Sequence, residues 1–128
     1  DIEQECAHVG SRKNLLGDEC FNRQLCRRLS LETRISSQVG PVFVYHTSDD
    51  TAVSVENSYL LAASLEQASV PHELHIYDYK GVKHGSGLYG PHGEKLPWAA
   101  AVLRWLDELD FRCAMPLPMG QPEKWHVD

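Results

Sequence analysis

The sequence predicts an α/β fold built on a parallel sheet. Two short runs have the composition of strands, residues 42–45 (Val-Phe-Val-Tyr) and residues 72–79, and a helical pattern occupies residues 55–68 between them. Strand, helix and strand in this order form a parallel crossover, which is the unit of a three-layer α/β sheet. Two strands are few for such a sheet, and the first is apolar on both faces. We therefore expect the chain to be part of a larger domain.

Composition and charge limit the partners to be considered. The chain has 128 residues, of which 42% are hydrophobic and 23% are charged, as is usual for a single globular domain. Twelve basic and eighteen acidic residues give a net charge of -6, which argues against binding to nucleic acid or to an anionic membrane. No apolar run is long enough to span a bilayer. Because the chain begins at Asp1 without a Met, we expect a processed or partial polypeptide.

Residues 1–40 are predicted to form a helical or irregular lead-in. Residues 14–17 (Asn-Leu-Leu-Gly) have the pattern of a short helical turn that ends at a glycine. A second helix is predicted from Glu19 to Leu31, because apolar residues recur there at helical spacing, namely Phe21, Leu25, Cys26 and Leu29.

Residues 41–110 are predicted to hold the core of the domain. After the first strand, Ser54 is placed to cap the helix over residues 55–68. Residues 72–79 then alternate in polarity as a strand does.

The last predicted helix begins at about Leu96. Pro97 is acceptable in its first turn, and Trp98 and Trp105 lie on its apolar face, where we expect them to contact the core. Residues 111–128 contain three prolines after Ala114 and little periodicity, which predicts an extended tail.

The sequence predicts neither a metal site nor a cofactor. None of the four cysteines forms a Cys-x-x-Cys pair, and their low density favours free, partly buried thiols over a disulfide between Cys20 and Cys26. His72 and His75 fall on opposite faces of their strand, so we do not expect them to share a metal ion.

An acid and a histidine each follow a predicted strand. Asp49 and Asp50 come directly after the first strand, and His84 lies in a glycine-rich loop after the second. The carboxyl ends of adjacent parallel strands meet at the ligand crevice of an open α/β sheet. A carboxylate bonded to imidazole Nδ1 fixes the tautomer, and the imidazole then acts as a general base. Asp50 and His84 are therefore the candidate catalytic residues.

Four segments together resemble acetyl-xylan-esterase-like and feruloyl-esterase-like α/β-hydrolases. Residues 46–58, beginning His-Thr-Ser-Asp-Asp, are similar to the acid-loop motif of these enzymes. Residues 70–77 are similar to the strand that follows, and residues 84–88 (His-Gly-Ser-Gly-Leu) to the histidine loop. Residues 10–17 look like a segment that these enzymes carry ahead of the acid strand. The resemblance covers residues from about 8 to 109.

The resemblance implies catalytic roles for two residues. It implies Asp50 as the acid of a Ser–Asp–His triad, because Asp50 precedes Val53 at the spacing of the family's acid, and it implies His84 as the base. Ser54 replaces the family's usual proline. Lys83, with the valine before it, stands where the family usually has glycines.

The third member of such a triad is missing. No Gly-x-Ser-x-Gly elbow occurs in the chain, and nothing matches the family's oxyanion-hole segment. The chain therefore looks like a partial α/β-hydrolase domain, namely its carboxyl-terminal half. We expect it to be inactive alone. Asp49 is expected to point toward the amino end of the following helix, and His46 to serve in packing or in support of the site.

Three functions remain open on this reading. The first is the acid- and histidine-bearing portion of a serine carboxyl-ester hydrolase, which would act on a small ester or acylated sugar once completed. The second is a non-catalytic remnant that serves binding or assembly. The third is a fragment of a prolyl-oligopeptidase-like peptidase. In each case, the predicted strand over residues 42–45 would lack a neighbour on one side. We therefore expect the chain to associate through this exposed sheet edge or to form a homodimer.

Overall fold

The computed structural model describes residues 6–79, 84–85, 87–90 and 92–111. Within them lie four helices and two strands, joined in part by short 3-10 turns. In chain order these elements are α1 (Val9–Leu16), α2 (Arg23–Leu29), β1 (Val42–Thr47), α3 (Glu56–Gln67), β2 (His72–Tyr77) and α4 (Pro97–Glu108).

β1 and β2 form a parallel two-stranded sheet within the described residues. The pairing runs from Val42 beside His72 to Thr47 beside Tyr77. The strand–helix–strand order predicted from the sequence is therefore correct. β2 ends at Tyr77 rather than residue 79, because its pairing partner β1 ends at Thr47, where the chain turns away from the sheet.

Helices cover opposite faces of this sheet. The rings of Phe43 and Tyr45 contact Trp105 and Trp98 of α4. His46, which alternation turns to the other face, bonds to a serine of α3. The protein thus has three layers, with α3 on one side of the sheet and α4 on the other.

The burial of the strands differs from the sequence-based expectation. The pattern of β1 predicted a strand covered on both faces, yet most side chains of β1 and all of those of β2 are only partly buried. Leu65 of α3, Val70 and Leu96 are buried apolar side chains in this part of the chain. Partial burial follows from the small number of neighbours, since two strands and two helices cannot enclose both faces.

The helix predicted from Glu19 to Leu31 is shorter in the structure. Asn22 is the N-cap residue of α2, because its side chain accepts a hydrogen bond from the Leu25 amide at 3.2 Å. Phe21 therefore precedes the helix and is 77% exposed. Of the predicted apolar face, Cys26 is buried against Leu16 and Cys20, and Leu25 packs beside them.

The lead-in also contains more helix than predicted. The turn predicted over residues 14–17 is the end of α1, which begins after His8 because Nδ1 of His8 accepts a hydrogen bond from the Ser11 amide. The helix ends at Gly17, whose φ of 54° favours glycine.

Other predicted features have mixed outcomes. Val55, and not Ser54 as predicted, is the N-cap residue of α3, because the helix begins one residue later than predicted. The hydroxyl of Ser54 still accepts a hydrogen bond from the Glu56 amide. Pro97 opens α4 as predicted. Cys6, Cys20 and Cys26 are free thiols. The predicted tail lies outside the described residues, apart from Phe111. No helix in the described ranges is long and apolar enough to cross a membrane.

Candidate active site

The loop after β1 holds Asp50 through its own backbone. Oδ1 of Asp50 accepts hydrogen bonds from the amides of Ala52 and Val53, both at 2.8 Å. This is the Asx-turn geometry that aspartate adopts where a chain reverses direction. The side chain of Asp50 is only 5% exposed. The turn therefore fixes the carboxylate and leaves Oδ2 free to face another group.

The structure brings Asp50 and His84 together. Nδ1 of His84 lies 2.9 Å from Oδ2 of Asp50. Because the carboxylate only accepts, Nδ1 carries the proton and donates it. The His84 side chain is 53% exposed, and its Nε2 has no hydrogen-bond partner within the described residues. Nε2 is thus the ring atom available to a reactant.

Asp50 remains a carboxylate at neutral pH. Burial raises the pKa of Asp50, but hydrogen bonds from the Val53 amide, from His84 and from the Ala52 amide outweigh this effect. Together they lower the pKa from the ordinary 3.8 to about 2. An anion at this position can stabilise an imidazolium at His84.

His46 joins the same group of side chains. Its Nε2 lies 3.1 Å from the Val53 carbonyl and 3.3 Å from Oδ2 of Asp50, and its Nδ1 lies 2.7 Å from the hydroxyl of Ser58. From the sequence we expected His46 to serve in packing or in support of the site, but we did not predict its hydrogen-bond partners. The available signal was position, since His46 lies one residue before the end of β1 and four residues before Asp50.

Asp49 has no hydrogen bond of the kind that holds Asp50 within the described residues. Among the described residues, no hydrogen bond joins Asp49 to the amino end of α3, where Ser54 accepts from the Glu56 amide instead. Oδ1 of Asp49 is buried and lacks a hydrogen-bond partner within those residues. Within the described part of the chain, the two adjacent carboxylates therefore have different surroundings, and Asp50 is the one that bonds to a histidine.

Trp98 connects the histidine loop to the sheet. Its indole N–H donates to the Gly87 carbonyl at 3.1 Å, and its ring stacks on Tyr45. The sequence predicted a core contact for Trp98 and for Trp105, and both contact β1. The bond to Gly87 was not predicted, because periodicity reports which face a residue occupies but not its hydrogen bonds.

An open cavity of about 220 Å³ lies beside the acid and the histidine. Its lining consists of the end of β1, the acid loop and the histidine loop, that is, Tyr45, His46, Thr47, Asp50, Val53, His84 and Gly85. A larger cavity of about 600 Å³ lies along α2 and shares no lining residue with this one. The smaller cavity is the one that offers the His84 imidazole to a ligand.

The histidines of β2 are held separately. His72 contacts the Val70 carbonyl through Nδ1, and His75 bonds to Glu73 through Nε2. Across the described part of the chain, no cluster of three or more His, Cys, Asp or Glu side chains is arranged to hold a metal ion.

Comparison with known sequences gives a partial match. No protein-family model matches the chain. Endo-1,4-beta-xylanase B of Butyrivibrio fibrisolvens is 33% identical over 70 residues, which are 55% of this chain and 11% of that protein. The match therefore concerns a small part of a much longer polypeptide.

Solved structures match over more of the chain. An acetyl ester-xyloside bifunctional hydrolase from Caldicellulosiruptor lactoaceticus is 40% identical, with a TM-score of 0.69, over 84% of this chain and 38% of that one. A sugar hydrolase from Lactococcus lactis is 26% identical, with a TM-score of 0.55, over 63% of this chain and 35% of that one. A carboxylesterase from Lactobacillus plantarum shares the fold at 23% identity and a TM-score of 0.54, over 70% of this chain and 34% of that one.

These matches confirm the predicted fold class and the resemblance to esterases. The parallel sheet with its flanking helices is part of an α/β-hydrolase fold. The chain spans little more than a third of each of these structures.

Proposed function

We propose that this part of an α/β-hydrolase bears the acid and the base of a serine carboxyl-ester hydrolase. Asp50 is the acid and His84 the base. The observation that carries the proposal is the 2.9 Å contact between Oδ2 of Asp50 and Nδ1 of His84 at the carboxyl ends of two adjacent parallel strands.

The contact suits general-base catalysis. Asp50 holds His84 in the tautomer that has its proton on Nδ1, so Nε2 is left to take a proton from an attacking hydroxyl. The anionic carboxylate then stabilises the imidazolium until the proton passes to the leaving alcohol. A buried acid and an exposed histidine match these two roles, since only the histidine must meet the substrate.

The nucleophile and the oxyanion donors are assigned to the remainder of a complete hydrolase. The elbow sequence Gly-x-Ser-x-Gly does not occur in these 128 residues. In the complete enzyme the serine would attack the ester carbonyl, release the alcohol, and pass the acyl group to water. His84 would accept the serine proton in the first half of this cycle and the water proton in the second.

Short acyl or carbohydrate esters are the proposed substrates. The names of the matching structures include an acetyl ester-xyloside hydrolase, a sugar hydrolase and a carboxylesterase. All three names describe hydrolases, two of them of esters and two of sugar substrates, and the open cavity beside His84 leaves the base accessible to such a ligand.

A chimera tests the proposal. The matching segment of the Caldicellulosiruptor hydrolase, which is 40% identical, is replaced by this chain. We expect hydrolysis of p-nitrophenyl acetate, and a loss of about 10⁴-fold in kcat with Asp50→Asn or His84→Ala. Asp49→Asn is the matched control and should retain most of the activity.

The alternatives give different results in the same experiment. A folded chimera without esterase activity would favour a non-catalytic remnant. Cleavage of a proline-containing peptide in preference to esters would favour a peptidase. Equal losses from the two aspartate variants would remove Asp50 from its special role.

A further inference from the structure

A chain of contacts runs from α3 through His46 to the candidate acid. The hydroxyl of Ser58 lies 2.7 Å from Nδ1 of His46. On the other side of the ring, Nε2 faces the Val53 carbonyl and Oδ2 of Asp50. The side chain of His46 is 13% exposed, and Ser58 is buried. The imidazole therefore sits between the helix and the acid loop with both nitrogens engaged.

The neighbours of His46 determine its tautomer. A carbonyl and a carboxylate can only accept hydrogen bonds, so Nε2 must carry a proton to avoid opposing two sets of lone pairs. Ser58 can donate as well as accept, and its hydroxyl therefore donates to Nδ1 of the neutral ring. The protein thus holds His46 with its proton on Nε2, whereas Asp50 holds His84 with its proton on Nδ1.

We propose that His46 is a positioning residue for the Asp50–His84 pair. Its Nε2–H ties the Val53 carbonyl to the end of β1 and approaches Oδ2, the oxygen of Asp50 that receives His84. Ser58 keeps the ring from turning over. The role in catalysis rests on the function proposed above, but the positioning itself is a property of this chain.

Three features of the site support this role. Oδ1 of Asp50 is committed to two backbone amides, so only Oδ2 is left to orient the histidine. His84 is largely exposed and has no other described contact to hold its ring. The orientation of the pair therefore depends on the acid loop, and His46 is the side chain that ties this loop to the sheet and to α3.

Nitrogen-15 NMR of the full 128-residue chain tests the proposal directly. Histidine tautomers are distinguished by the chemical shifts of the two ring nitrogens. We expect His46 to carry its proton on Nε2 and neutral His84 to carry its proton on Nδ1. A His46 ring with its proton on Nδ1 would overturn the proposal.

Two substitutions separate positioning from packing. His46→Gln places an amide N–H near the position of Nε2, whereas His46→Asn reaches only the position of Nδ1. We expect the Gln variant to keep neutral His84 largely in the Nδ1–H form and the Asn variant to convert it mainly to the Nε2–H form. Circular dichroism identifies variants that retain the fold.

A third variant keeps the test decisive if the His46→Asn variant does not fold. Ser58→Ala removes the donor to Nδ1 but leaves both acceptors at Nε2, so we expect His46 to keep its proton on Nε2 and to hold the acid loop less firmly. Neutral His84 should then populate the Nε2–H form in part while α3 is retained. An unchanged His84 spectrum in every folded variant would contradict the positioning role. None of these readouts requires catalysis, so an inactive chimera would leave the result on His46 standing.

Discussion

The ring of Tyr45 stacks on the indole of Trp98, with ring centroids 4.5 Å apart and planes 6° apart. Tyr45 lies two residues before the end of β1, and Trp98 lies in the first turn of α4. The indole N–H of the same tryptophan donates to the Gly87 carbonyl. One side chain therefore fixes α4 against the sheet and anchors the loop that carries His84.

The dual contact of Trp98 predicts an effect that Trp105 should not show. Trp98→Phe keeps a ring against Tyr45 but removes the hydrogen bond to Gly87. We expect a loss of about 1 kcal/mol in the free energy of unfolding and a weakened Asp50–His84 contact. Urea unfolding measures the first effect, and the His84 ring nitrogen shifts measure the second. Trp105→Phe is the control, and an equal change at His84 in both variants would contradict the loop-anchoring role.

The lowered pKa of Asp50 predicts a loss of stability in acid. The pKa is about 2 in the folded chain and 3.8 ordinarily, so the folded state holds the proton less tightly than the unfolded state. The resulting stabilisation is fully present above about pH 5 and is mostly lost as the pH falls to 2, with a magnitude of at most about 2.5 kcal/mol. Urea unfolding between pH 2 and 6 measures this dependence.

Asn at position 50 removes this contribution. Asp50→Asn should be less stable than the wild type at pH 6, and the difference should shrink as the pH falls to 2, where Asp50 is about half protonated in the folded chain. Asp49→Asn serves as the control and should keep the Asp50 contribution. A constant difference between the wild type and Asp50→Asn across the range would show that this carboxylate is not stabilised by folding.

The positions of Asp50 and His84 were predictable because each lies in the loop that follows a strand. Parallel strands bring their carboxyl ends to one edge, so a pattern of apolar residues is enough to place the two side chains near each other. The partners of His46 were not predictable in this way. They depend on the rotation of one ring and on Ser58, which lies twelve residues later in the chain.

Phe21 was predicted to lie on the apolar face of a helix, but it precedes the helix and is exposed. The reason is that Asn22 caps the helix one residue after Phe21, which the apolar pattern does not report.

The 128-residue chain should not hydrolyse esters on its own. His84 has a carboxylate partner but no elbow serine to activate, and loss of a triad member costs several orders of magnitude in rate. We expect a rate with p-nitrophenyl acetate no higher than the background that exposed histidines give, and no labelling by a fluorophosphonate probe. A burst of product or a labelled serine would reveal a nucleophile in this chain and change the proposal.

The sheet edge beside β1 predicts association. β2 occupies one side of β1, and the described residues place no strand on the other. Several large apolar side chains are exposed, among them Phe21, Leu31, Leu103 and Phe111. Covering apolar area stabilises a protein by roughly 25 cal/mol per Å², and an open strand edge is a template for pairing. We therefore propose that the chain associates through this edge and expect sedimentation equilibrium at micromolar concentration to show a dimer or larger species.

Hydrogen exchange locates the contact with an internal control. The Val42 amide donates to the carbonyl of Pro71, just before β2, and the Ser48 amide donates to the Tyr77 carbonyl at its end. Alternation therefore turns the Phe43 amide toward the open edge and the Val44 amide toward β2. Association through the edge should slow exchange at Phe43 as the protein concentration rises, while Val44 stays protected throughout. A monomer that unfolds cooperatively, with fast exchange at Phe43 at every concentration, would show that the edge needs no partner.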